Sequence, residues 1–394
     1  MLTDKNYQGV LPFRTAFPYL CLIALLFYFN CVERALLSPL LVSIQQEFNF
    51  SNTVTTSLLV VRSVGLSISL LANSFLAVHC KHKHIVTASV FLAGTSFTML
   101  SMTTTYLQLQ IGLLLFGLSA GLYFPSGMAT LSSLVDKKDL SKALSIHELA
   151  PNISFISAPF IVELMLSFTD WRGTMQCVGV ASMLLAVFFA FMGKGGHGNG
   201  AAPRFSTLKR LATKRNTLIF FVLVGIGLTL ETAPYYVLPL FLVNQQHMTS
   251  AEANSLLAIS RLATPFMALS AGYISSKTGD RPLLLAGLFL SAICLALMAT
   301  TQGTLLTAAI IAQPLFPAML FPVIFKVFSD FFPAEEQSLV LAVTMPFVGI
   351  IGSGIMPNFL GYCGDVFSFQ IGFAIFSALT IASMAVLFIT PSKD

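Results

Sequence analysis

The chain contains a dozen apolar stretches of roughly 20 residues each, separated by short polar loops. A helix of about 20 residues crosses a hydrocarbon core of about 30 Å, and within lipid it satisfies its own backbone hydrogen bonds. Only 9% of the residues are charged, against about 25% in soluble domains. The sequence therefore predicts an all-α membrane protein with twelve transmembrane spans, at about 17–38, 54–78, 84–103, 106–134, 142–167, 173–193, 216–240, 252–275, 281–300, 303–328, 338–360 and 366–390.

The two halves of the chain repeat each other in order. Phe124-Pro125 in the fourth span is echoed by Phe321-Pro322 in the tenth, and Ala158-Pro159 in the fifth by Met356-Pro357 in the eleventh. Repeated bundles that meet at a central site near the midplane are typical of secondary transporters. The repeat predicts two pseudo-symmetric six-helix bundles.

A connector rich in glycine and in basic residues separates the halves. Glycine keeps such a segment flexible, and its cations are attracted to the anionic cytoplasmic leaflet. We predict a first bundle over 1–193, a cytoplasmic linker over 194–215 and a second bundle over 216–394. Most of the 21 lysines and arginines fall on the linker's side of the predicted topology, which places both termini in the cytoplasm. The polar first residues and the long first span predict that no signal peptide is cleaved, and we expect the inner membrane of a bacterium.

Two arginines occupy matching places inside apolar spans. The second span contains Ser57-Leu58-Leu59-Val60-Val61-Arg62, and the eighth repeats the phrase as Ser255-Leu256-Leu257-Ala258-Ile259-Ser260-Arg261. An arginine at the centre of a membrane helix costs roughly 2.5 to 3.5 kcal/mol, and these two would lie about 12 to 15 Å deep. We expect them to face each other across a cavity and to hold an anion, since a guanidinium grips paired oxygens and keeps its proton. The alternative is that each arginine pairs with a structural carboxylate.

Two glutamates are also near-equivalent in the repeat. Glu33 precedes Ser38-Pro39-Leu40 in the first span, and Glu231 precedes Leu238-Pro239-Leu240 in the seventh. A desolvated carboxyl that takes up a proton when the anion site fills would couple transport to a proton gradient. Glu231 has no basic residue within several positions and is the preferred coupling residue. Glu33 is the second candidate, with neutralisation of Arg34 or Arg62 as its alternative role.

Other polar residues carry weaker expectations. His147, one turn inside the fifth span, is expected to be solvated at the cytoplasmic surface, with a proton relay as the alternative. Lys326 and Asp330, at i,i+4 spacing, are expected to form a surface pair. The six cysteines show no metal-ligand spacing, so no metal site is predicted.

The loop after the eighth span runs Gly272-Tyr273-Ile274-Ser275-Ser276-Lys277-Thr278-Gly279-Asp280-Arg281. It resembles the signature G-x-x-x-D-R/K-x-G-x-R/K of the major facilitator superfamily, with Ser276 in place of the acid. The resemblance covers essentially the whole chain and implies that family's fold of two six-helix bundles. It also implies a gating role for the signature residues Gly272, Lys277, Gly279 and Arg281.

Two branches of that superfamily share further features with this chain. Glu33-Arg34-Ala35-Leu36-Leu37-Ser38 resembles the D-R-x-x-L/I-S pattern of organic-anion and phosphate members, which implies that Arg34 contributes to anion binding. The placing of Arg62 and Arg261 resembles the arginine pair of the nitrate/nitrite porters. Since the first, fourth and seventh spans line the cavity in this superfamily, the resemblance implies substrate contacts by four tyrosines, Tyr28, Tyr123, Tyr235 and Tyr236.

No nucleophile constellation, phosphate-binding loop or dinucleotide fingerprint occurs in the sequence, so neither an enzyme nor a cofactor is expected. We expect a monomeric secondary transporter that moves a small anion by alternating access, coupled to H+, within the lipid bilayer and without a nucleic-acid partner. The main alternative is a proton-driven exporter of amphipathic cations or drugs, with Glu33 and Glu231 as binding charges. A membrane receptor without transport activity is a further alternative, disfavoured by the twofold-related charges.

Overall fold

The computed structural model describes residues 10–199 and 213–389, and over these residues it contains helices and no strand. The helices of the first half are α1 Phe13–Phe48, α2 Asn52–His79, α3 His82–Leu100, α4 Tyr106–Ala120, α5 Tyr123–Ser132, α6 Lys137–Leu166 and α7 Trp171–Met192. Those of the second half are α8 Arg215–Asn244, α9 Ser250–Arg261, α10 Thr264–Thr278, α11 Asp280–Thr300, α12 Gly303–Ala312, α13 Leu315–Phe331, α14 Ala334–Ile350, a π-helical turn Ile351–Ile355, α15 Met356–Val366, α16 Phe369–Ser383 and α17 Val386–Ile389. Much of the predicted linker and both chain ends lie outside the described residues.

The helices account for the twelve predicted spans. Eleven of them, counting α4–α5, α9–α10, α12–α13, α14–α15 and α16–α17 as one span each, are long and apolar enough to cross a membrane. The twelfth is α3, a 19-residue helix whose first turn is polar because it begins His82-Lys83-His84. It packs between α4 and α7 inside the first bundle. The predicted all-α fold of two six-helix bundles is confirmed.

Several spans that were predicted to be continuous are interrupted. The eighth span breaks after Arg261, because Pro265 has no N–H to bind the Arg261 carbonyl. The hydroxyl of Thr264 donates to that carbonyl instead, at 2.8 Å. The first span shows the opposite deviation and continues past its predicted end at 38 to Phe48. Near this end Glu47 accepts hydrogen bonds from Trp171 at 2.6 Å and Arg172 at 2.5 Å.

Matching turns show that the two halves share one local design. The turns after α1 and α8 each contain a non-glycine residue in the left-handed region, Asn49 with φ 52° and His247 with φ 57°. Two residues later, each half starts its next helix with a hydroxyl N-cap, Ser51 before α2 and Thr249 before α9. The cap side chains accept the N–H groups of Val54 and Glu252, both at 3.3 Å. The same helix-starting signal therefore sets the register of α2 and α9, which carry Arg62 and Arg261.

The two halves meet mainly at one end of the molecule. We call the end where α1 stops and α2 begins the far side, and the end where α7 stops and α8 begins the linker side. Between the halves α1 packs against α8, α6 against α9, and α2 against α14, the π turn and α15. At the linker side α5 packs against α1 and α3, and α10 packs against α13, each within its own half. The structure is thus closed at the far side and opens toward the linker side.

Two glycines allow the helix that carries Arg62 to approach its neighbours closely. A Cβ at Gly117 in α4 would lie 2.1 Å from the carbonyl oxygen of Arg62. A Cβ at Gly354 in the π turn would lie 3.1 Å from the Cα of Val60. Larger residues would displace α2 from one or the other neighbour, so both glycines hold Arg62 at the junction of the two halves.

Candidate functional site

Prolines inside the helices supply free backbone acceptors at the junction. A proline has no N–H for the carbonyl four residues earlier, and within a membrane that carbonyl needs another donor. In α1 Pro39 frees the carbonyl of Ala35, which accepts the hydroxyl of Tyr235 at 3.3 Å. In α8 Pro239 frees the carbonyl of Tyr235, which accepts the hydroxyl of Ser38 at 2.6 Å. The equivalent helices of the two halves are therefore joined by a reciprocal pair of hydrogen bonds.

A third proline provides an acceptor for Arg62. Pro357 in α15 leaves the carbonyl of Ser353 without a helical donor, and Nη2 of Arg62 donates to it at 3.1 Å. The other hydrogen-bond partners of Arg62 are the hydroxyls of Tyr236, 2.7 Å from Nη1, and Ser63, 3.2 Å from Nη2. All these partners are neutral, and Nε has no hydrogen-bond partner among the described residues. Arg62 is only 2% exposed, so it is a buried cation without a carboxylate bound to it.

Arg261, in contrast, is paired with an acid. Its Nη1 donates to the carboxylate of Glu231 in α8, and its Nη2 donates to the backbone carbonyl of the same residue at 2.8 Å. The guanidinium carbon lies 4.9 Å from the ring centre of Tyr235 and 5.3 Å from that of Phe155 in α6. The ion pair is thus enclosed by aromatic rings, which favour a cation over their faces.

Among the described residues, the two arginines bind separate partners in this conformation and do not share one. Arg62 lies over the ring of Tyr236, and Arg261 lies over the ring of its neighbour Tyr235. The two rings are in edge-to-face contact with their centres 5.6 Å apart, so the two guanidinium groups lie on different, adjacent rings. A cavity beside Arg261, lined also by Ser260 and Gln313, has a volume of about 10 Å³, which suits no more than one water molecule. For Arg261 the partner is the carboxylate of Glu231, as in the alternative in which each arginine pairs with a structural carboxylate.

Glu33 and Arg34 do not neutralise each other. Glu33 is fully buried and accepts a 2.5 Å hydrogen bond from Ser182 in α7, while its second carboxyl oxygen has no partner among the described residues. Arg34 turns the other way, donating from Nε to the Asn30 carbonyl at 3.1 Å and from Nη2 to the Cys31 sulfur at 3.0 Å. Glu231 does have a basic partner, contrary to expectation, because the next helix places Arg261 beside its carboxylate. Of the two glutamates, Glu33 is the one without a cation bound to it.

The four tyrosines lie in different surroundings. Tyr235 and Tyr236 lie between the two arginines at the junction of the halves. The hydroxyl of Tyr28 is 2.8 Å from that of Ser157 in α6. Tyr123 is fully buried inside the first bundle, where its hydroxyl donates to the Ile23 carbonyl at 2.8 Å. In this conformation Tyr123 is therefore part of the packed core and not exposed to a substrate.

His147 is not at the surface, contrary to expectation. It is fully buried, and its ring stacks on Phe27 of α1 with a centroid distance of 4.2 Å and an interplanar angle of 7°. Its Nε2 lies 3.4 Å from the hydroxyl of Tyr123, and its Nδ1 lies 3.5 Å from the carboxylate of the exposed Glu148. The sequence position suggested a solvated residue because the helix was expected to start at about 142, whereas α6 starts at Lys137 and α1 covers this face.

The predicted gating residues lie at the linker side of α10 and α11. Gly279 has φ 89°, a conformation that favours glycine, and it separates the two helices. Lys277 lies over the ring of Tyr273 at 4.6 Å, Arg281 lies over that of Phe388 at 4.8 Å, and a Cβ at Gly272 would meet only open space. The described contacts of this segment are within the second half, as expected where the two halves are apart.

Lys326 does not form its ion pair with Asp330. Its ammonium lies 2.6 Å from the carboxylate of Asp280 in the signature loop, and Ser275 also donates to that carboxylate. The fold brings α13 against α10, so the tertiary partner replaces the one expected from i,i+4 spacing.

Two further polar side chains complete the junction, and sequence reasoning missed the second of them, Asp365. Gln313 donates to the Leu230 carbonyl at 2.8 Å, which Pro234 leaves free in α8. Asp365 in α15 accepts the N–H groups of Asn52 and Thr53, at 2.9 and 2.7 Å, and so caps α2 from the other half of the chain. The prolines were a usable signal, because each one marks a carbonyl that needs a donor. No signal within the sequence links Asp365 to α2.

Comparisons with known proteins agree with this architecture. The family model described as Major Facilitator Superfamily matches residues 23–249 and 219–394. A comparison with curated protein sequences gives no match.

Solved transporter structures share the fold at low sequence identity. A bacterial homologue of the human lysosomal transporter Spinster, in an inward-facing and occupied conformation, is 14% identical with a TM-score of 0.78, covering 97% of each chain. A POT family transporter in complex with a thioalcohol-conjugated peptide is 10% identical with a TM-score of 0.79, over 95% of this chain and 96% of that one. The nucleoside transporter NupG is 15% identical with a TM-score of 0.73, over 94% of this chain and 98% of that one. With a family match along almost its whole length, two six-helix bundles and charged residues where the bundles meet, the chain belongs to the major facilitator superfamily and is a secondary transporter of a small molecule, not an enzyme.

Proposed function

We propose that the protein transports a small anion, organic or inorganic, by alternating access between its two bundles. The observation that supports this is Arg62, a buried cation whose hydrogen-bond partners are all neutral. A charge that is buried without a counter-ion is costly, and in membrane proteins such residues mark substrate pathways. An anion with paired oxygens would supply the missing countercharge and could bind the guanidinium through two parallel hydrogen bonds. Arg34, whose described partners are also neutral, is the proposed second cation of the site.

A cationic substrate is the less favourable alternative. It would need a carboxylate that can be reached from the opening between the bundles. Glu33 is fully buried against Ser182, and the Glu231 carboxylate is already bound to Arg261. Arg62 is also buried, but its partners Tyr236 and Ser353 belong to the other half, so it lies where the bundles separate, whereas Glu33 is enclosed within the first half. The junction therefore offers an unmatched positive charge more readily than an unmatched negative one.

Proton coupling is proposed to act through the Glu231–Arg261 pair. Protonation of Glu231 removes the charge that holds Arg261, and the released guanidinium can then join Arg62 on the anion once the bundles rearrange. The proton and the anion would then stabilise the same state, as symport requires. Glu33, buried without a bound cation, is proposed as a second residue that can carry a proton.

A double-mutant cycle tests this scheme. Anion affinity is measured for Arg62→Gln, Arg261→Gln and the double variant, first with Glu231 present at alkaline pH and then in a Glu231→Gln background. A screen of nitrate, phosphate and carboxylates by thermal shift chooses the anion beforehand. We expect additive effects in the first background, within about 0.3 to 0.5 kcal/mol, because Arg261 is occupied by Glu231. In the second background we expect a coupling of about 0.5 to 3 kcal/mol, because both arginines bind one ligand.

Two results would contradict the proposal. Additivity in both backgrounds would show that Arg261 never shares the ligand, leaving Arg62 as the single anchor. Unchanged anion affinity in Arg62→Gln would remove the anion site itself, and stabilisation by cationic dyes would then support the exporter alternative.

The orientation, the domain boundaries and the oligomeric state also remain proposals. Basic residues such as Lys81, Lys83, Lys137 and Lys142 lie at the linker side, which we therefore place in the cytoplasm of a bacterium, with the protein in the inner membrane. Bundles over 1–193 and 216–394 and a linker over 194–215 fit this arrangement, with the protein acting as a monomer.

A further inference from the structure

A groove lies on the outer face of the first bundle, between the linker-side ends of α3 and α7. It has a volume of about 470 Å³. Lys83 and His84 line the end nearest the linker side together with Thr87 and with Ala190 of α7, and Phe91 and Leu92 line the deeper part. At 1.5 Å per residue, the apolar end lies about 12 Å further along the helix axis than the basic end. The groove thus changes from basic to apolar along the direction in which a membrane changes from headgroup to hydrocarbon.

The basic end of the groove carries charge that the protein does not neutralise. No ion pair of Lys81 or Lys83 is formed in the described part of the chain, and the groove is lined by no acidic side chain. Lys83 donates one of its three ammonium protons to the Gly193 carbonyl at 2.7 Å, which leaves two for another acceptor. His197 in the adjoining loop shows the effect of this cluster, since burial and then the charges of Lys83, Lys81 and His84 lower its pKa.

The backbone at the start of α3 is already occupied, so a ligand would have to bind the side chains. The N–H groups of His82 and Lys83 donate to the carbonyls of Gly198 and Gly196, at 3.3 and 2.9 Å. The glycine segment after α7 is thereby fixed over the helix end, and the Lys83 ammonium lies 5.8 Å from the ring centre of Phe189 in α7. Lys83 is held at the rim of the groove by these contacts.

We propose that this groove binds an anionic phospholipid, with the phosphate at Lys83 and His84 and one acyl chain along Phe91 and Leu92. The charge of the rim selects an anionic headgroup, and the exposed apolar floor, 39% for Phe91 and 46% for Leu92, suits a hydrocarbon chain. A free phosphate would leave this apolar floor uncovered, and a neutral lipid would leave the positive charges of the lysines without a negative charge to bind. The site is separate from the transport pathway and does not depend on which molecule is transported.

Native mass spectrometry of the purified full chain tests the proposal. The protein is exchanged into vesicles of phosphatidylcholine with about 20% phosphatidylglycerol, extracted, and measured for retained lipid. We expect the wild-type protein to retain phosphatidylglycerol in preference to phosphatidylcholine, and Lys83→Gln to lower that preference about fivefold, which corresponds to about 1 kcal/mol per lysine at a membrane surface. Lys137→Gln, which removes one positive charge from the same side of the molecule but outside the groove, should retain the wild-type preference.

Two further variants separate the groove from charge alone and from misfolding. His84→Gln removes a rim residue without touching the Gly193 hydrogen bond and should also lower the preference. Ala190→Trp fills the groove beside its basic rim and should lower retention of both lipids at unchanged charge. Equal retention of the two lipids by the wild-type protein, or an equal effect of Lys83→Gln and Lys137→Gln, would overturn the proposal. Capture of a second copy of the chain that Ala190→Trp abolishes would also overturn it and assign the groove to a protein interface.

Discussion

At the scale of single residues, two buried arginines at equivalent positions are stabilised in different ways. Arg261 is paired with Glu231, whereas Arg62 is held by two hydroxyls and the Ser353 carbonyl. An ion pair inside a membrane protein balances its own charge, so Arg261 costs less to keep buried while the pair is intact than an unpaired arginine does. Arg62 has no such countercharge bound to it in this conformation. This difference is why we assign the permanent anchor to Arg62 and the switchable one to Arg261.

Substitution of the two glutamates should affect stability in opposite ways. Glu231→Gln leaves Arg261 with a neutral partner, so we expect the free energy of unfolding to fall by about 1.5 to 3 kcal/mol. Glu33→Gln replaces a buried carboxyl that has no bound cation and should leave the stability unchanged or raise it. Thermal unfolding in detergent measures both. The control is Arg261→Gln with Glu231→Gln, which should be more stable than Glu231→Gln alone, and the interpretation fails if Glu33→Gln is the more damaging of the single variants.

The positions of these residues were predictable, but their partners were not. The repeated phrase around Arg62 and Arg261 located both residues in the sequence. The choice of Glu231 as a partner depends on which faces of α8 and α9 meet, and apolar spans carry no periodic pattern that reveals this. His147 was assigned to the surface for the same reason, since only the packing of α1 shows that it is buried.

At the scale of helices, prolines determine where the two halves can bond to each other. Pro39, Pro239 and Pro357 each free a carbonyl that accepts a hydrogen bond from the opposite half. Because these bonds join side chains to carbonyls across the two halves, they can break without unfolding either helix, which suits helices that must separate during transport. Helix locations could be predicted from the apolar runs. The break after Arg261 could not, because prolines also occur within unbroken helices such as α1 and α8.

Pro357→Ala should weaken the hold on Arg62. Alanine restores an N–H that can bind the Ser353 carbonyl within the helix, which competes with the 3.1 Å hydrogen bond from Arg62. We expect normal expression but a threefold to tenfold change in anion affinity, equivalent to about 0.7 to 1.4 kcal/mol and typical of one hydrogen bond. Equilibrium binding measures the change. Pro18→Ala, near the linker-side end of α1, is the matched control, and an equal change in both variants would refute the role given to Pro357.

At the scale of the whole molecule, the repeat allowed the two-bundle architecture to be predicted, but not the conformation. A transporter must be stable in at least two arrangements of the same bundles, so its sequence is compatible with both. The far side is closed here by contacts between residues that are distant in sequence. Among them, Asn254 of α9 donates to Glu163 of α6 at 2.6 Å, and Asn358 of α15 donates to the Thr53 carbonyl of α2 at 2.8 Å. Contacts of this kind bias the equilibrium toward the state that is open at the linker side.

The strongest of these contacts is the cap that Asp365 places on α2. Its carboxylate accepts the N–H groups of Asn52 and Thr53 and the Thr53 hydroxyl, the last at 2.6 Å, so a negative charge lies at the positive end of a 28-residue helix. Asp365→Asn removes that charge and half of the acceptor capacity while keeping the size of the side chain. Charge-assisted hydrogen bonds contribute about 1.5 to 3 kcal/mol, which is enough to change the ratio of two conformations by a factor of about 10 to 150. We therefore expect Asp365→Asn to shift the protein toward the state that is open at the far side.

Distances between spin labels, measured by double electron–electron resonance, would detect this shift. One label pair, at Thr104 and Gln302 in exposed loops of the two halves, reports on the far side, and a second pair, at Lys138 and Lys277, reports on the linker side. The exposed cysteines Cys21, Cys80 and Cys177 are first replaced by serine. In Asp365→Asn the far-side distance should lengthen while the linker-side distance shortens, because the bundles rock about the site between them. Glu163→Gln is the milder control, because it removes one charge from a single hydrogen bond whose donor, Asn254, is neutral. If the far-side distance lengthens without any change at the linker side, the cap holds only the start of α2, and the conformational equilibrium must be set by the bonds around Tyr235 and Arg62 instead.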